Sequence, residues 1–249
     1  LDEVAAHPAL ARDFGAVAQA AASVAGPTQR LMGTVGGNLC LDTRCYFYNQ
    51  SEWWRKSIDY CLKYRGDVCH VVPSSKRCYA AYSGDLAPAL LVLGSEVEVA
   101  GPEGRRRFPL DDLFVDDGTE YLTLRKGELV VAVHVPAPPP DLRSGYEKLR
   151  VRGSIDFPLA GVAVALKPAN GVLAELRVAL TGVGSRPFLL AGTEALVGPE
   201  LDDEALAGLE KLVQKQSSPV RTALIQPQYR RRAIAGIAAR LLRELAAEG

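Results

Sequence analysis

The sequence predicts an α+β protein in two parts, and three observations carry that prediction. An alanine-rich, helix-patterned start leads into a series of short strands. A stiff proline connector, Pro136 followed by Pro138-Pro139-Pro140, interrupts the chain. Beyond it strands come first and helices last, the pattern of a small antiparallel sheet with helices on one face. The parts are 1–138 and 142–249, and the first carries a cysteine-bearing insertion at about 40–82.

Residues 1–25 place Phe14, Val17, Ala21 and Val24 near helical spacing and read as one amphipathic helix, which Gly26-Pro27 stops. Next comes Thr34-Val35-Gly36-Gly37-Asn38, where adjacent glycines permit positive φ angles and let successive N–H groups face a phosphate. A plain turn is the alternative. Residues 86–93 are an apolar run, helix or buried strand. Residues 95–100 alternate as a strand, 101–104 turn, and 105–108 return. A short helix is expected at 109–114 and a β-branched strand at 128–135. In the second part, 145–152 and 159–166 are strands, and Gly171 joins the latter to a strand at 173–181. Helices follow at 189–197, at 202–214 with acidic residues in its first turn, and at 228–247 with Ile234, Ile237, Leu241 and Leu245 on one face.

The 29 basic and 29 acidic residues cancel, so no global field favours nucleic acid or an anionic membrane. The runs Arg105-Arg106-Arg107 and Arg230-Arg231-Arg232 read as a solvated turn and a solvated helix face. No apolar run approaches bilayer-spanning length. The start, Leu1-Asp2-Glu3-Val4, lacks a signal-peptide pattern and an initiator methionine, and reads as a truncated or processed chain of cytoplasmic type. Cytoplasmic thiols stay reduced, which turns the cysteines toward metal or redox use rather than disulfides.

All five cysteines, Cys40, Cys45, Cys61, Cys69 and Cys78, fall between Thr34 and Asp85, at gaps of 5, 16, 8 and 9 positions. Zinc sites usually carry a tight two-cysteine knuckle, absent here. Chance crowding of structural thiols is the bland alternative. Four thiolates around an iron–sulfur cluster need to converge in space but need no fixed knuckle, and a loop suits them. Arg44, Lys63, Arg65, Lys76 and Arg77 would offset the negative charge, with Trp53 and Trp54 packing around the cluster. His7, His70 and His134 are scattered, and no acid–base or nucleophile constellation assigns a catalytic residue.

Thr34-Val35-Gly36-Gly37-Asn38, Asp85-Leu86-Ala87-Pro88 and Tyr146-Glu147-Lys148 together resemble the FAD-binding subunit of the molybdenum hydroxylase (xanthine dehydrogenase) family. In most members only a few residues separate the Gly-Gly-Asn turn from the Asp. The insertion here, with Gly37-Asn38-Leu39-Cys40-Leu41-Asp42-Thr43-Arg44-Cys45 and Phe47-Tyr48-Asn49-Gln50-Ser51-Glu52-Trp53-Trp54, resembles the β subunit of the 4-hydroxybenzoyl-CoA reductase group, whose flavin subunit holds an extra [4Fe-4S] cluster. The likeness extends to Gln226-Pro227-Gln228-Tyr229-Arg230-Arg231.

The resemblance implies an FAD-binding middle subdomain with an iron–sulfur loop, then a C-terminal flavoprotein domain. Family members begin with a further FAD subdomain carrying another glycine-rich loop, and this chain starts after it. Thr34, Gly36, Gly37 and Asn38 would line the FAD diphosphate, and Asp85 the ribose or adenine side. Val130 would be an apolar wall near the flavin, and Lys148 a polar contact to the isoalloxazine ring. From the residues alone, Asp85 is equally a helix N-cap and Lys148 a surface lysine. The implied cluster ligands are Cys45, Cys61, Cys69 and Cys78, with Cys40 a spare, structural thiol. The implied function is electron transfer from a ferredoxin-type donor through [4Fe-4S] and FAD to [2Fe-2S] and a molybdopterin centre in partner subunits, for reductive dehydroxylation, in a dimer of heterotrimers. Two alternatives are a related FAD subunit working oxidatively on purine or aromatic substrates, and a non-catalytic metal-stabilised interaction module without flavin.

Overall fold

The computed structural model of the chain describes residues 1–169, 172–221 and 225–247. The expected single N-terminal helix is three short ones: α1 (Asp2–Ala6), α2 (Pro8–Asp13) and α3 (Gly15–Ser23). Pro8 lacks an N–H and holds His7 extended (φ −73°, ψ 120°), which ends α1. Phe14 (φ −138°, ψ 51°) makes the second break. Gly15 is needed there, because a Cβ would stand 2.7 Å from the Ser144 carbonyl oxygen. α4 (Pro27–Met32) starts with its proline in the first turn, where no N–H is required. α5 (Val35–Leu39) is one turn long, α6 (Glu52–Ser57) lies in the cysteine insertion, and α7 (Leu86–Leu91) is buried along its whole length. The ambiguous run at 86–93 is thus a helix.

The first sheet contains β1 (Glu96–Gly101), β2 (Gly104–Pro109) and β3 (Leu129–His134), antiparallel in the order β2-β1-β3. Val97 and Val99 of β1 alternate inward, both fully buried. A 3-10 turn, Leu110–Leu113, follows β2. The second sheet contains β4 (Arg143–Leu149), β5 (Ala160–Ala169), β6 (Val172–Thr181) and β7 (Phe188–Leu189) in sequential antiparallel order. The joint expected at Gly171 lies outside the described residues. α8 (Asp203–Gln216) is capped by Asp202, which accepts the Ala205 N–H at 2.8 Å, and α9 (Pro227–Ala247) closes the chain.

Three expectations change here. The helix expected at 189–197 is instead the end of β7, a left-handed Gly192 (φ 87°) and a 3-10 turn, Thr193–Leu196. Leu190 still donates its N–H to Val178 (2.7 Å), so sheet pairing claims the backbone that helix propensity would have used. Second, both faces of the second sheet are covered. Val162, Val164 and Leu166 of β5 pack toward α8 and α9, while Ala163 and Ala165 face the core that holds α3 and α7. Third, Arg230 is not solvated: it is 2% exposed and donates to the carbonyls of Leu159 (2.8 Å), Gly182 (2.6 Å) and Val220 (2.5 Å). Burial lowers its pKa to about 10, which leaves it charged at neutral pH. The arginines of β2 pair with Glu98, Glu128 and Glu96. Among the described residues no helix is long and apolar enough to cross a membrane.

Leu180 of β6 is fully buried in the core beneath α8 and α9. Leu180→Ala is expected to cost about 2–5 kcal/mol, read as a lower urea midpoint at unchanged slope. A loss under about 1 kcal/mol would show that this core collapses around the deletion.

Candidate functional site

The glycine turn is the N-terminal half of a one-turn helix, not a left-handed turn, and neither Gly36 nor Gly37 has a positive φ. What the glycines provide is close approach. A Cβ on Gly36 would stand 3.3 Å from the Val130 carbonyl oxygen and 3.5 Å from the Val130 Cβ, and one on Gly37 3.0 Å from Thr34 Oγ1. Thr34 caps the turn by accepting the Gly37 N–H at 2.9 Å. Thr34 and Gly37 are exposed, whereas Asn38 is buried. Asn38 Oδ1 accepts the Leu86 N–H (3.0 Å), which ties the turn to the start of α7.

Asp85 stands at the N-cap position of α7 but makes no cap hydrogen bond. Its carboxylate, 5% exposed, accepts from the Tyr146 hydroxyl (2.7 Å) and pairs with Lys148 Nζ (3.1 Å), whose side chain is 2% exposed. Lys148 donates in addition to the Ser23 carbonyl (2.9 Å). Tyr146 and Lys148 are two apart on β4 and so point to the same face. Burial raises the Asp85 pKa above the ordinary carboxylate range, against the pull of Lys148 and Tyr146, and burial lowers the Lys148 ammonium, against the pull of Asp85. The seven residues expected around the flavin therefore form one connected group: Thr34–Gly37, Gly36–Val130, Asn38–Leu86 and Asp85–Lys148.

Three members of this group escaped sequence reasoning. Tyr82 is fully buried and its hydroxyl donates to the carbonyls of Asn38 (3.1 Å) and Leu39 (3.0 Å). Gly84 lies where a Cβ would meet the Asn38 carbonyl oxygen at 2.7 Å. Tyr146 was visible only as a motif neighbour; its place two residues from Lys148 on a strand was the available signal.

The insertion is closed at its neck by a two-residue antiparallel bridge. Arg44 and Ala81 exchange N–H···O bonds, both at 2.7 Å. Inside the loop, Cys45, Cys61, Cys69 and Cys78 wall one small cavity together with Phe47, Tyr48, Leu62, Lys63, His70 and Val71, and Cys40 is not among its walls. Cys61, Cys69 and Cys78 are buried and Cys45 half-buried, and all are free thiols. The backbone bends sharply to bring them together: Asp59, Tyr60 and Arg65 are left-handed (φ 55°, 60° and 61°). Gly118 donates its N–H to the Cys78 carbonyl (2.9 Å), and the Ala80 N–H points at Cys78 Sγ (3.4 Å).

Among the described residues no three His, Cys, Asp or Glu side chains are close enough to hold a single metal ion. An iron–sulfur cluster asks for a different arrangement, since each thiolate binds a separate iron and the sulfurs stand farther apart. Burial pushes the Cys45 thiol up to about 11, and the Cys78 and Cys61 thiols push the same way. Burial likewise raises Cys78. Burial thus favours the neutral thiol at these positions unless a cation offsets the charge. Trp54 packs against Tyr46 and Phe47 (ring centroids 5.9 and 6.3 Å), whereas Trp53 is 78% exposed and takes no part in that packing. Its helix turns it outward, one residue from Trp54.

Residues 1–138 place the chain in an FAD-binding class. The description "FAD binding domain in molybdopterin dehydrogenase" matches residues 1–138, and "CO dehydrogenase flavoprotein C-terminal domain" matches residues 144–245. The chain belongs to the family of FAD-binding domains of molybdopterin dehydrogenases. It is 34% identical over 202 residues to the aldehyde oxidoreductase FAD-binding subunit PaoB of Escherichia coli (strain K12), covering 78% of this chain and 62% of that one. It is 28% identical over 209 residues to the carbon monoxide dehydrogenase medium chain of Afipia carboxidovorans, covering 83% and 58%. Against the xanthine dehydrogenase FAD-binding subunit of Escherichia coli O157:H7 the identity is 25%, covering 71% and 47%. This chain thus spans about half to three-fifths of the length of these relatives. A structure of the Cu,Mo-CO dehydrogenase shares the fold, with TM-score 0.77 at 23% identity over 99% of this chain and 72% of that chain.

Lys148→Met removes the cation beside a buried carboxylate and is expected to cost about 3–5 kcal/mol at neutral pH. The folded state holds the Asp85 pKa above its unfolded value, so in this variant the stability that rests on Asp85 is fully present below about pH 4 and is lost as pH rises through the raised pKa. Urea unfolding across pH checks this. A deficit that does not vary with pH would exclude the electrostatic account, and adding Asp85→Asn is expected to recover part of the loss.

Proposed function

We propose that this chain is the FAD- and iron–sulfur-carrying electron-transfer subunit of a molybdenum enzyme of the 4-hydroxybenzoyl-CoA reductase type. The observation that carries the proposal is the convergence of Cys45, Cys61, Cys69 and Cys78 on one cavity, in a loop whose neck adjoins the flavin turn. The donor set fits a [4Fe-4S] cluster in number, chemistry and burial. Thr34, Gly36, Gly37 and Asn38 would hold the FAD diphosphate, with Val130 as the apolar wall. Asp85 would sit toward the ribose or adenine and Lys148 toward the isoalloxazine ring; their buried contact makes them one rigid edge of the site. When bound, the two groups supply one-electron carriage at the cluster and one- or two-electron carriage at the flavin. The chain's own residues space, bury and orient them.

Its partners in this reading are a molybdopterin large subunit, a [2Fe-2S] small subunit and a ferredoxin-type donor, in a dimer of heterotrimers. Relatives named "FAD-binding subunit" and "medium chain" support a place in such an assembly. Residues 1–138 would form the FAD-binding unit and 142–249 the C-terminal unit. Five free thiols support a reducing, cytoplasmic setting. Relatives named for aldehyde and xanthine oxidation favour a second reading, with the same FAD turn and electrons leaving through the flavin. The cysteine loop weighs for the first, because a low-potential donor centre serves a difficult reduction. A flavin-free interaction module does not accord with an FAD-binding family.

Two measurements test the proposal. The purified protein is expected to show flavin absorbance plus a broad shoulder that dithionite bleaches; a colourless, zinc-containing protein overturns it. Cys61→Ser is expected to lose its iron while Cys40→Ser keeps it, read as iron per polypeptide. Equal loss in both rejects the ligand set.

A further inference from the structure

We propose that Lys63 is a fixed counter-charge built into the cysteine cavity and that it sets the reduction potential of the cluster held there, an inference that rests on the cluster reading above. Of the side chains walling the cavity, Lys63 is the only lysine or arginine. Its side chain is 6% exposed. Its three donors are all engaged, by Asp42 Oδ1 (2.8 Å), Thr43 Oγ1 (2.7 Å) and the Gly118 carbonyl (2.6 Å). Three donated bonds require the ammonium form. The rings of Tyr48 and Tyr121 flank it at 5.0 and 5.3 Å, which favours a cation further.

Position makes the charge matter. Gly118, which accepts from Lys63, is also the residue whose N–H donates to the Cys78 carbonyl, so the ammonium lies one peptide away from a ligand cysteine. The other basic residues near the loop are screened or occupied. Arg65 is 62% exposed, Arg77 pairs with Asp116, and Arg44 lies over the Phe157 ring at 3.8 Å. Exposed charges are screened by water and salt, whereas a buried one acts through a low dielectric. The sole carboxylate on Lys63, Asp42, is itself 51% exposed, so it cancels the ammonium only in part.

A cluster that takes one electron from a one-electron donor becomes more negative by one charge. A fixed ammonium beside it stabilises the reduced form and raises the potential. Lys63→Met should therefore lower it, Lys63→Arg should leave it near the wild-type value, and Asp42→Asn, which frees the ammonium from its carboxylate, should raise it. The experiment is a dithionite redox titration of the purified protein followed by electron paramagnetic resonance of the reduced cluster. At a fixed poise, Lys63→Met is expected to lower the reduced-to-oxidised ratio about tenfold, which is about 59 mV for one electron. Asp42→Asn is expected to move the ratio the opposite way. A ratio in both variants indistinguishable from wild type, or a shift in the same direction in both, overturns the inference. If Lys63→Met holds no iron, Asp42→Asn decides alone: a rise supports the inference, and no rise overturns it. A wild-type protein without iron removes the cluster reading itself, a result distinct from an intact cluster that ignores both substitutions.

Discussion

A carboxylate out of reach of water has to be paired, and the architecture around the glycine turn follows from that need at Asp85. Its partners come from β4: the Tyr146 hydroxyl and the Lys148 ammonium. Lys148 also reaches the end of α3 through the Ser23 carbonyl, and the Tyr146 N–H donates to Gln19 Oε1 at 2.7 Å in the same helix. One ion pair thereby fixes α7, β4 and α3 against each other. The next residue, Leu86, passes that constraint to Asn38, and Tyr82 adds two hydrogen bonds to the same turn. The exposed face formed by Thr34 and Gly37 inherits its position from this buried network. Buried polar groups of this kind tolerate little movement, because each has its partners specified.

The cysteine loop is attached to this frame without disturbing it. Its two ends meet in the Arg44–Ala81 bridge, so a long excursion leaves and returns at nearly one point. Closing such a loop costs entropy that grows only slowly with length, so an excursion of this size is compatible with a stable frame. Several contacts dock it on the body, among them the Gly118 N–H and the Ser185 hydroxyl (3.3 Å) on the Cys78 carbonyl and Lys63 on the Gly118 carbonyl. The thiol nearest the glycine turn, Cys40, belongs to the frame instead. It ends α5 with its N–H bonded to the Gly36 carbonyl (2.9 Å), and its own carbonyl accepts from Tyr121.

The second sheet shows how one strand serves two cores. Large β-branched and leucine side chains of β5 fill the space under α8 and α9, and alanines on the opposite face let α3 and α7 come close. Small residues on that face read in sequence as weak hydrophobic signal. They are in fact the condition for close packing, as the contact between Gly15 and Ser144 illustrates.

By itself the sequence determined what short-range chemistry controls. Proline and glycine punctuation, alternation in β1 and β3, the acidic first turn and cap of α8, and the apolar stripe of α9 act within a few residues, and each element formed where its pattern lay. The concentration of thiols in one segment was likewise legible, and four of the five wall one cavity. Tertiary structure alone decided the rest, because the deciding contacts lie far apart along the chain. Residues 189–197 left the helical state when β6 offered hydrogen bonds to Leu190. Gly36 and Gly37 fit close approach to Val130 and Thr34, not left-handed backbone. Arg230 is buried because three carbonyls converge on it, two of them, Leu159 and Gly182, from distant segments. Asp85 and Lys148, each readable alone as a cap and a surface lysine, became a buried pair only when α7 met β4, since the value of either charge depends on whether the other is within reach.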